Sequence, residues 1–420
     1  MSKDSSINQS EQQRQLALDV LCALREADYE ALFAGGCVRD QLLGITPKDY
    51  DVATNATPEQ VRELFGHRRT IAVGAAFGVI AVLGKKGQDP IEVATFRSDG
   101  AYVDGRRPTE VLYTTAEQDA QRRDFTINGM FLDPLAQESE QVVDYVGGLA
   151  DLEIRTLRAI GDPQQRFAED KLRLLRAIRF ASTYDLQIQS ETLAAVRQMA
   201  SEVTVVSAER IGMELDRLLR HKNRSKGVEQ LAKTGLLKAI FPELADAVEQ
   251  TDQWQGRLEV LARLQSPSLP TALAALLSGQ TSPKKAKALC RRIRLTNVQG
   301  EQTAWLLEKL PHIEQAEELP WPQLQRILVA EGSGELMELA TATWGGKHPG
   351  VVRCRELLSQ PPEVLDPPTL ATGDDLIAHG IAPGKHFKAL LDYLRDEQLE
   401  GRLNSKDDAL AAAKQWIARE

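Results

Sequence analysis

Two kinds of hydrophobic pattern divide the chain. Residues 11–27 place Leu16, Val20 and Leu24 on one face of a helix. From about residue 30 to residue 150, short apolar runs between glycine, proline and charged turns predict β-strands in a mixed α/β domain. After Gly161-Asp162-Pro163 the spacing of apolar residues becomes almost wholly helical. The pattern therefore predicts an α+β domain, with a mixed sheet and flanking helices, followed by an all-α half.

Breaks in this pattern predict five segments. They are an N-terminal helix (1–28), the α/β domain (29–152) and three helical segments (153–225, 226–358 and 359–420). The last boundary rests on the stretch SQPPEVLDPPT, residues 359–369. We interpret this stretch as a linker, because its prolines stiffen the backbone and exclude a helix.

Composition narrows the class of protein. The chain of 420 residues is 42% hydrophobic and 26% charged, which is ordinary for globular domains, and its length suggests more than one domain. The first ten residues are polar, and no apolar run approaches the roughly 20 residues that a membrane helix requires. We therefore expect a soluble cytoplasmic protein with no membrane partner. The four cysteines are far apart, which predicts neither a disulfide framework nor a zinc site.

The distribution of charge indicates where phosphate groups would bind. A net charge of −9 argues against binding of nucleic acid over the whole surface. The segment 284–294 nevertheless carries six cations and no acid, and the segment 155–179 carries seven cations and three acids. A solvated helix face is the usual explanation of such runs. Two of them in an acidic chain predict a confined phosphate-binding track.

Two aspartates, Asp49 and Asp51, stand one residue apart where a strand is predicted to begin. Side chains alternate faces along a strand, so the two carboxylates should project to the same side and repel each other. Mg²⁺ suits this geometry because it binds oxygen ligands, commonly one or two carboxylates plus substrate phosphates. Glu92, at the start of another apolar strand, would add a third catalytic carboxylate to a two-metal site. The alternatives are a solvated turn for the aspartates, and an exposed or Arg97-paired side chain for Glu92.

A glycine pair lies ahead of these acids in FAGGCVRDQLLG, residues 33–44, which predicts a strand, a turn and a helix. Gly35 and Gly36 can bring bare backbone amides close to a ligand. The helix that follows offers its positive end to an anion, with Arg39 beside it. A triphosphate would fit there, and a tight structural turn is the alternative.

The stretch QRRDFTINGMFLD, residues 121–133, predicts further nucleotide contacts. Arg122, Arg123 and Asp124 directly precede a helix-like run and can hold ribose and phosphate. Asn128 follows Asp124 by four residues, on the same helical face. A plain helix N-cap is the alternative for Asp124.

The stretch QQRFAEDKLRLLRAIRFA, residues 164–181, predicts one helix whose polar face carries Glu169, Asp170, Arg173 and Arg176. Internal salt bridging is one interpretation of this spacing. Base recognition is the other, because cytosine and adenine each present an exocyclic amine beside a ring-nitrogen acceptor, which a carboxylate and an arginine can pair. Guanine and uracil present the opposite polarity. Asp170 and Arg173 would leave unpaired groups against them, at a cost of roughly 1 to 3 kcal/mol per buried group.

Five motifs occur in an order that resembles one family, the class II tRNA nucleotidyltransferases and bacterial poly(A) polymerases of the polymerase-β superfamily. They are GGCVRD at 35–40, DYD at 49–51, YVDGRRP at 102–108, RRDFTINGM at 122–130 and EDKLRLLRAIRFA at 169–181. The resemblance covers about residues 30–225, and beyond them only the helical character is similar. It implies a polymerase-β-type catalytic head formed by 29–152. The three helical segments would be a neck, a body and a tail.

The resemblance also implies the chemistry. Asp49 and Asp51 would bind two catalytic Mg²⁺ ions, and the enzyme would add nucleotides from CTP and ATP to the 3′ end of tRNA without a template. Gly35, Gly36 and Arg39 would lie along the triphosphate, and Arg122, Arg123 and Asp124 would hold the sugar and phosphates of the incoming nucleotide. The neck residues Glu169, Asp170 and Arg173 would read its base. The body and tail would grip the acceptor arm of tRNA, a role that suits the basic segment. The cations of that segment are Lys284, Lys285, Lys287, Arg291, Arg292 and Arg294.

Two stretches bear on the branch of the family. Poly(A) polymerases of this family carry a G-R-R-F-type signature after the second strand, where this chain has VGAAFGVIAV, residues 73–82. Members that add only CC lack most of a loop that is present here as GAYVDGRRP, residues 100–108, and that we expect to be mobile and near the site. These features favour a full CCA-adding enzyme. An A-adding specialist, a poly(A) polymerase and a non-catalytic RNA-binding relative are, in that order, the alternatives.

Overall fold

The structure, a computed structural model, describes residues 3–74, 78–100, 111–136 and 141–418. Contacts within the chain define two compact units. The first consists of Met1–Leu218 and Lys226–Ala245, and the second of Leu219–Ser225 and Asp246–Glu420. The loop motif at 102–108, and with it the predicted mobility of that loop, lies outside the described residues, as does part of the stretch 73–82.

Strands occur in the first half of the chain. They are β1 (Ala31–Ala34), β2 (Asp51–Thr54), β3 (Thr70–Gly74), β4 (Val79–Val82), β5 (Ile91–Thr95), β6 (Arg97–Asp99), β7 (Val111–Tyr113), β8 (Phe131–Asp133), β9 (Gln141–Val143), β10 (Thr156–Leu157) and β11 (Gln187–Ile188). Short 3-10 turns lie at His67–Arg69, Thr126–Asn128, Ala200–Val205 and Pro242–Leu244.

Helices flank these strands and then form the rest of the chain. In chain order, the first of them are α1 (Lys3–Glu26), α2 (Gly36–Leu42), α3 (Pro58–Phe65), α4 (Ala116–Gln121), α5 (Gly148–Glu153), α6 (Pro163–Glu169), α7 (Leu172–Tyr184), α8 (Ser190–Gln198), α9 (Ala208–Leu219), α10 (Arg224–Thr234), α11 (Leu236–Ile240) and α12 (Ala245–Glu249). The remaining helices are α13 (Thr251–Arg263), α14 (Leu269–Leu277), α15 (Pro283–Arg292), α16 (Asn297–Glu314), α17 (Trp321–Leu328), α18 (Ser333–Trp344), α19 (Pro349–Leu358), α20 (Pro362–Leu365), α21 (Gly373–Ala378), α22 (Phe387–Leu399) and α23 (Lys406–Ile417). Among the helices described, none is long and apolar enough to cross a membrane.

Seven strands form one mixed sheet in the order β3-β4-β5-β2-β1-β8-β9. The β2–β5 pair is parallel, and the other neighbouring pairs are antiparallel. On β5, Ile91, Val93 and Thr95 are buried, whereas Glu92 is exposed and Ala94 is half-buried. One face of this strand thus packs into the core and the other is open. The mixed sheet with flanking helices, followed by a helical half, is the fold class predicted from the sequence, and it is confirmed.

The helix predicted over 164–181 is interrupted. α6 ends at Glu169, α7 begins at Leu172, and Asp170 between them is extended, with φ −144° and ψ 104°. The side chain of Asp170 accepts a hydrogen bond from the backbone N–H of Leu172 at 3.0 Å. Such a local bond competes with the helical ladder, so the prediction of one continuous helix was wrong.

Two smaller predictions were also wrong. The run after Asp124 is a 3-10 turn followed by β8, and the three residues of the turn are buried. The β-branched pair Thr126 and Ile127 is a poor start for an α-helix. In the proline-rich stretch 359–369, Pro362–Leu365 forms one helical turn. Its proline is at the first helical position, where a missing N–H costs nothing.

Candidate active site

Three acidic side chains lie at one edge of the sheet. The parallel register Val52↔Val93 places Asp51 beside Glu92 on the adjacent strand, and Asp49 is exposed just before β2. Burial, together with the charges of Glu92 and Asp49, raises the pKa of Asp51 to about 6, and Arg123 opposes this rise. Part of this rise therefore comes from repulsion between neighbouring carboxylates, which a bound divalent cation would relieve.

The carboxylates of Asp49, Asp51 and Glu92 do not form a closed set of metal ligands. Within the described ranges, no group of three or more His, Cys, Asp or Glu side chains is arranged to hold a metal ion by itself. Mg²⁺ is commonly bound by one or two carboxylates together with substrate phosphates. The donor set of Asp49, Asp51 and Glu92 fits an ion held in that open manner.

The raised pKa of Asp51 has a measurable effect on stability. The carboxyl group binds its proton more tightly in the folded protein than in the unfolded chain, so its contribution favours folding at low pH and is lost as the pH rises through about 6. With EDTA present, Asp51→Asn should therefore raise the free energy of unfolding at pH 8 by about 1 to 3 kcal/mol. Denaturant titrations at pH 8 and pH 5 test this, since the gain should shrink at the lower pH. An equal gain at both pH values, or none at pH 8, would contradict it.

A cavity of about 570 Å³ opens in front of this edge. Eight arginines contribute to its wall, against four acidic residues, so the cavity is cationic although the whole chain is acidic. The arginines are Arg39, Arg122, Arg123, Arg173, Arg176, Arg179, Arg210 and Arg217, and the acids are Asp51, Glu92, Asp124 and Asp170. Gly35, Gly36 and Asn128 also line it, whereas Asp49 and Glu169 do not. The wall suits a polyanion of nucleotide size.

The predicted glycine turn is present, with one difference. Gly35 has φ 68°, a left-handed backbone conformation that favours glycine, and a Cβ there would lie 2.9 Å from Nη1 of Arg123, which would have to shift. The N–H of Gly35 donates to the carbonyl oxygen of Met130 at 3.1 Å, as a continuation of the β1–β8 pairing. The prediction that this amide is bare was therefore wrong, because the sheet uses it.

Arg39 is buried and packs among polar and aromatic side chains. Its guanidinium donates to Oδ1 of Asn128 at 2.5 Å, to Oδ1 of Asp40 at 2.6 Å and to the hydroxyl of Tyr184. It also lies over the Tyr184 ring, 4.1 Å from the centroid. The side chain is thus held rigidly at the cavity wall.

One buried acid, Asp119, holds both arginines of the R-R-D motif. Oδ1 accepts from Nε and Nη2 of Arg122 at 2.9 and 2.6 Å, and Oδ2 accepts from Nε and Nη2 of Arg123 at 3.1 and 2.8 Å. Asp119 is 2% exposed. The sequence interpretation missed this residue, although its position three and four residues before the arginine pair on α4 is a usable signal.

Asp124 is part of a second buried network. Its carboxylate accepts from the N–H of Phe125 at 2.8 Å, from Nδ2 of Asn128 at 3.0 Å and from Nε of Arg176 at 2.8 Å. Burial alone would raise the pKa of Asp124, but Arg176 and Asn128 hold it at about 2. The predicted proximity of Asp124 and Asn128 is therefore observed. The N-cap alternative is not, because the turn that follows has no side-chain cap.

The proposed base-reading residues are held by separate partners. Arg173 donates to Oε2 of Glu169 at 2.5 Å and to the backbone carbonyl of Arg122 at 3.2 Å. Asp170 accepts two hydrogen bonds from Arg210, at 3.1 and 2.6 Å. The structure therefore places Asp170 and Arg173 on one cavity wall, where the backbone N–H of Arg173 donates to the carbonyl oxygen of Asp170 at 3.0 Å and the two side chains have separate partners.

Two residues of α9 in this region were missed by the sequence interpretation. Arg210 holds Asp170, and Glu214, which is 4% exposed, accepts from Arg179 at 2.5 Å and from Arg217 at 3.2 Å. Their i,i+4 spacing was visible in the sequence. Their proximity to α7 was not, because it depends on how the helices pack.

The predicted basic segment forms α15 and the residues after it, within the second unit. Ala286, Leu289 and Cys290 are buried on one side of this helix. The cations lie on the other side, where Lys287 is half-buried and pairs with Glu301. The exposed ones are Lys284, Lys285, Arg291, Arg292 and Arg294.

Family models match two parts of the chain. Residues 31–158 match a model described as the poly A polymerase head domain. Residues 185–248 match one described as a probable RNA and SrmB-binding site of polymerase A.

Similar proteins extend the match over nearly the whole chain. A CCA-adding enzyme of Levilactobacillus brevis is 33% identical over 405 residues, which are 95% of this chain and 97% of that protein. A CCA-adding enzyme of Streptococcus suis is 40% identical over 239 residues, 57% of each chain. Among solved structures, the Bacillus stearothermophilus CCA-adding enzyme in complex with CTP aligns with a TM-score of 0.77 and 26% identity, over 96% of this chain and 98% of that one.

Proposed function

Because this chain belongs to the family of the CCA-adding enzymes, we propose that it is a template-independent tRNA nucleotidyltransferase that adds C, C and A to the 3′ end of tRNA. The family resemblance inferred from the five motifs is confirmed. CTP and ATP are the substrates, and pyrophosphate is the second product. We place this activity in the cytoplasm, where its tRNA substrate is.

One observation carries the proposal more than any other. The sheet-edge carboxylates Asp51 and Glu92 and eight arginines line the same cavity. The arginines supply the charge that a triphosphate requires, and the carboxylates supply oxygen ligands at its reactive end. A cavity that bound only the base, or only RNA backbone, would not need both groups.

In the proposed reaction, the 3′-hydroxyl of tRNA attacks the α-phosphate of the nucleotide. A bond forms between the 3′ oxygen and the α-phosphorus, and the bond from that phosphorus to the pyrophosphate oxygen breaks. Asp49 and Asp51, with Glu92 beside them, would hold Mg²⁺, proposed as two ions, which would lower the pKa of the hydroxyl and neutralise the leaving pyrophosphate. Arg122 and Arg123 bind and orient the phosphates.

Base selection is assigned to Asp170 and Arg173. The bonds to Arg210 and Leu172 leave Oδ2 of Asp170 with one further lone pair, which can accept from the exocyclic amine of cytosine or adenine. Arg173 has five N–H donors, of which Nη1 serves Glu169 and the carbonyl of Arg166 while Nη2 serves the carbonyl of Arg122. Its remaining donors can reach the ring nitrogen. The partners thus fix both groups without exhausting them.

The tRNA-binding role of α15 is also a proposal. Its support is the exposure of five cations along one short segment of an acidic chain. Such a surface would contact phosphates along the acceptor arm and would bind more weakly as salt concentration rises.

A set of three tRNAs tests the function. We expect tRNA ending at the discriminator base to gain two residues with CTP alone, and tRNA ending in C to gain one. tRNA ending in CC should gain one residue with ATP alone and none with CTP. Gel electrophoresis of labelled tRNA resolves these products.

Each other pattern names a different protein. Extension of the CC-ended tRNA alone would identify an A-adding specialist and overturn full CCA addition. Long A tails would identify a poly(A) polymerase. No extension of any tRNA, with Mg²⁺ present, would favour the non-catalytic RNA-binding relative.

A further inference from the structure

We propose that Asp119 is the positioning residue that fixes Arg122 and Arg123 for binding of the triphosphate. The inference rests on the proposed function, because it assigns the two arginines to the incoming nucleotide. It adds a residue that touches neither substrate nor metal and acts only through its neighbours.

The geometry is that of one carboxylate shared by two guanidinium groups. Each oxygen of Asp119 accepts from Nε and Nη2 of one arginine, with four donor–acceptor distances between 2.6 and 3.1 Å. Both arginines therefore use the same edge of the guanidinium plane toward Asp119. The Nη1 side of each group lies away from Asp119. There Nη1 of Arg123 donates to the carbonyl oxygen of Asn128 at 3.2 Å, and both arginines line the cavity. A planar group held along one edge cannot swing away from its ligand.

The position of Asp119 is itself fixed by its helix and by a backbone hydrogen bond. It lies on α4, whose start is capped by Thr115, and it is 2% exposed. Oδ1 also accepts from the backbone N–H of Arg97 at 3.2 Å. Burial would raise the pKa of Asp119, but Arg123 and Arg122 lower it below its usual value, so the carboxylate stays ionised at neutral pH.

The same short segment also contacts the base-reading side of the cavity. The backbone carbonyl of Arg122 accepts from Nη2 of Arg173 at 3.2 Å and from Nη1 of Arg166 at 3.1 Å. Those contacts involve the backbone, whereas Asp119 holds the side chains of the arginine pair. Loss of the Asp119 charge should therefore release the phosphate-binding side chains and leave Arg173 in place.

This separation predicts a specific kinetic change. The triphosphate carries its charge in the ground state as well as in the transition state, so the lost contacts weaken both about equally. Asp119→Asn should raise KM at least tenfold for both CTP and ATP, with kcat changed less than about threefold. The preference for C and A over G and U should not change.

The experiment measures initial rates of CTP addition to tRNA ending in C and of ATP addition to tRNA ending in CC. Asp151→Asn is the matched control. Asp151 is 5% exposed, pairs with Arg158 at 3.0 Å and accepts from the hydroxyl of Thr126, outside the arginine-lined cavity. The Asp151→Asn variant should have a lower melting temperature than the wild-type protein and the same KM for both nucleotides. Asp119→Glu keeps the charge and moves it by one methylene, so it should raise KM less than Asp119→Asn does. It replaces Asp119→Asn as the test variant if the asparagine variant folds poorly.

The outcomes separate this inference from the proposed function. If the wild-type protein extends no tRNA, the proposed function fails before Asp119 is tested. If the wild-type protein is active and folded Asp119→Asn keeps its KM for both nucleotides, the positioning role is overturned. An equal rise in KM for Asp151→Asn would also overturn it, because the effect would then be one of general stability.

Discussion

Asp51→Asn should abolish nucleotide incorporation, lowering kcat by at least about a thousandfold, while the protein remains folded. The exchange is nearly isosteric, so the sheet should keep its packing. It removes a negative charge from the edge where Glu92 and Asp49 raise the pKa of Asp51. The protein should become more stable and inactive at once, which is the behaviour of a group kept for function at a cost in stability.

Asp19→Asn is the control for this variant. Asp19 is exposed on α1, accepts from the side chain of Gln15 at 2.9 Å and is not part of the cavity wall. It should keep full activity. Substantial turnover by Asp51→Asn in single-turnover assays with saturating ATP would refute the assignment of Asp51 as a metal ligand. Asp49→Asn should show the same loss, because the two carboxylates are proposed to share the ions.

Arg173→Ala should have the second largest effect, on base selection. Removal of the guanidinium takes away the donor that pairs with the ring nitrogen of cytosine and adenine. The same guanidinium is the group that GTP or UTP would leave unpaired, so the penalty against these nucleotides is lost with it. An unpaired buried group costs roughly 1 to 3 kcal/mol, so discrimination against GTP and UTP should fall about 5- to 150-fold. Asp170→Ala should act in the same direction through the exocyclic amine. Incorporation should slow, but the carboxylate edge should still support it.

The neighbouring Lys171 offers a control. It pairs with Glu202 at 2.5 Å and is not part of the cavity wall. Lys171→Ala should keep both rate and base choice. Competition assays with ATP and GTP on tRNA ending in CC measure the ratio directly. If Arg173→Ala and Asp170→Ala still exclude G and U, the base-reading assignment is wrong.

Local sequence signals predicted much of the site. Asp51 is the first residue of β2 and Asp49 lies just before it, while Gly35 joins β1 to α2 and Gly36 is the first residue of α2. These features depend on neighbouring residues, so periodicity and turn chemistry were sufficient. Whether each carboxylate binds metal stays a prediction.

Contacts between residues that are far apart in the sequence could not be predicted from it. Asp51 and Glu92 are 41 residues apart, and their adjacency follows from the β2–β5 register. Arg210 lies 40 residues after Asp170 and reaches it through the packing of α9 against the region of α7. The sequence interpretation missed the break between α6 and α7 at Asp170 because its cause is one local hydrogen bond. The backbone N–H of Leu172 donates to the side chain of Asp170, and such a bond does not change the spacing of apolar residues.

The wild-type reaction on tRNA that ends at the discriminator base is the decisive test of CCA addition by this protein. The protein is incubated with all four nucleoside triphosphates and Mg²⁺, and the 3′ ends of the products are sequenced. We expect a single product lengthened by C, C and A, with no G or U and no further residues. Unextended tRNA, or ends of mixed sequence, would contradict it.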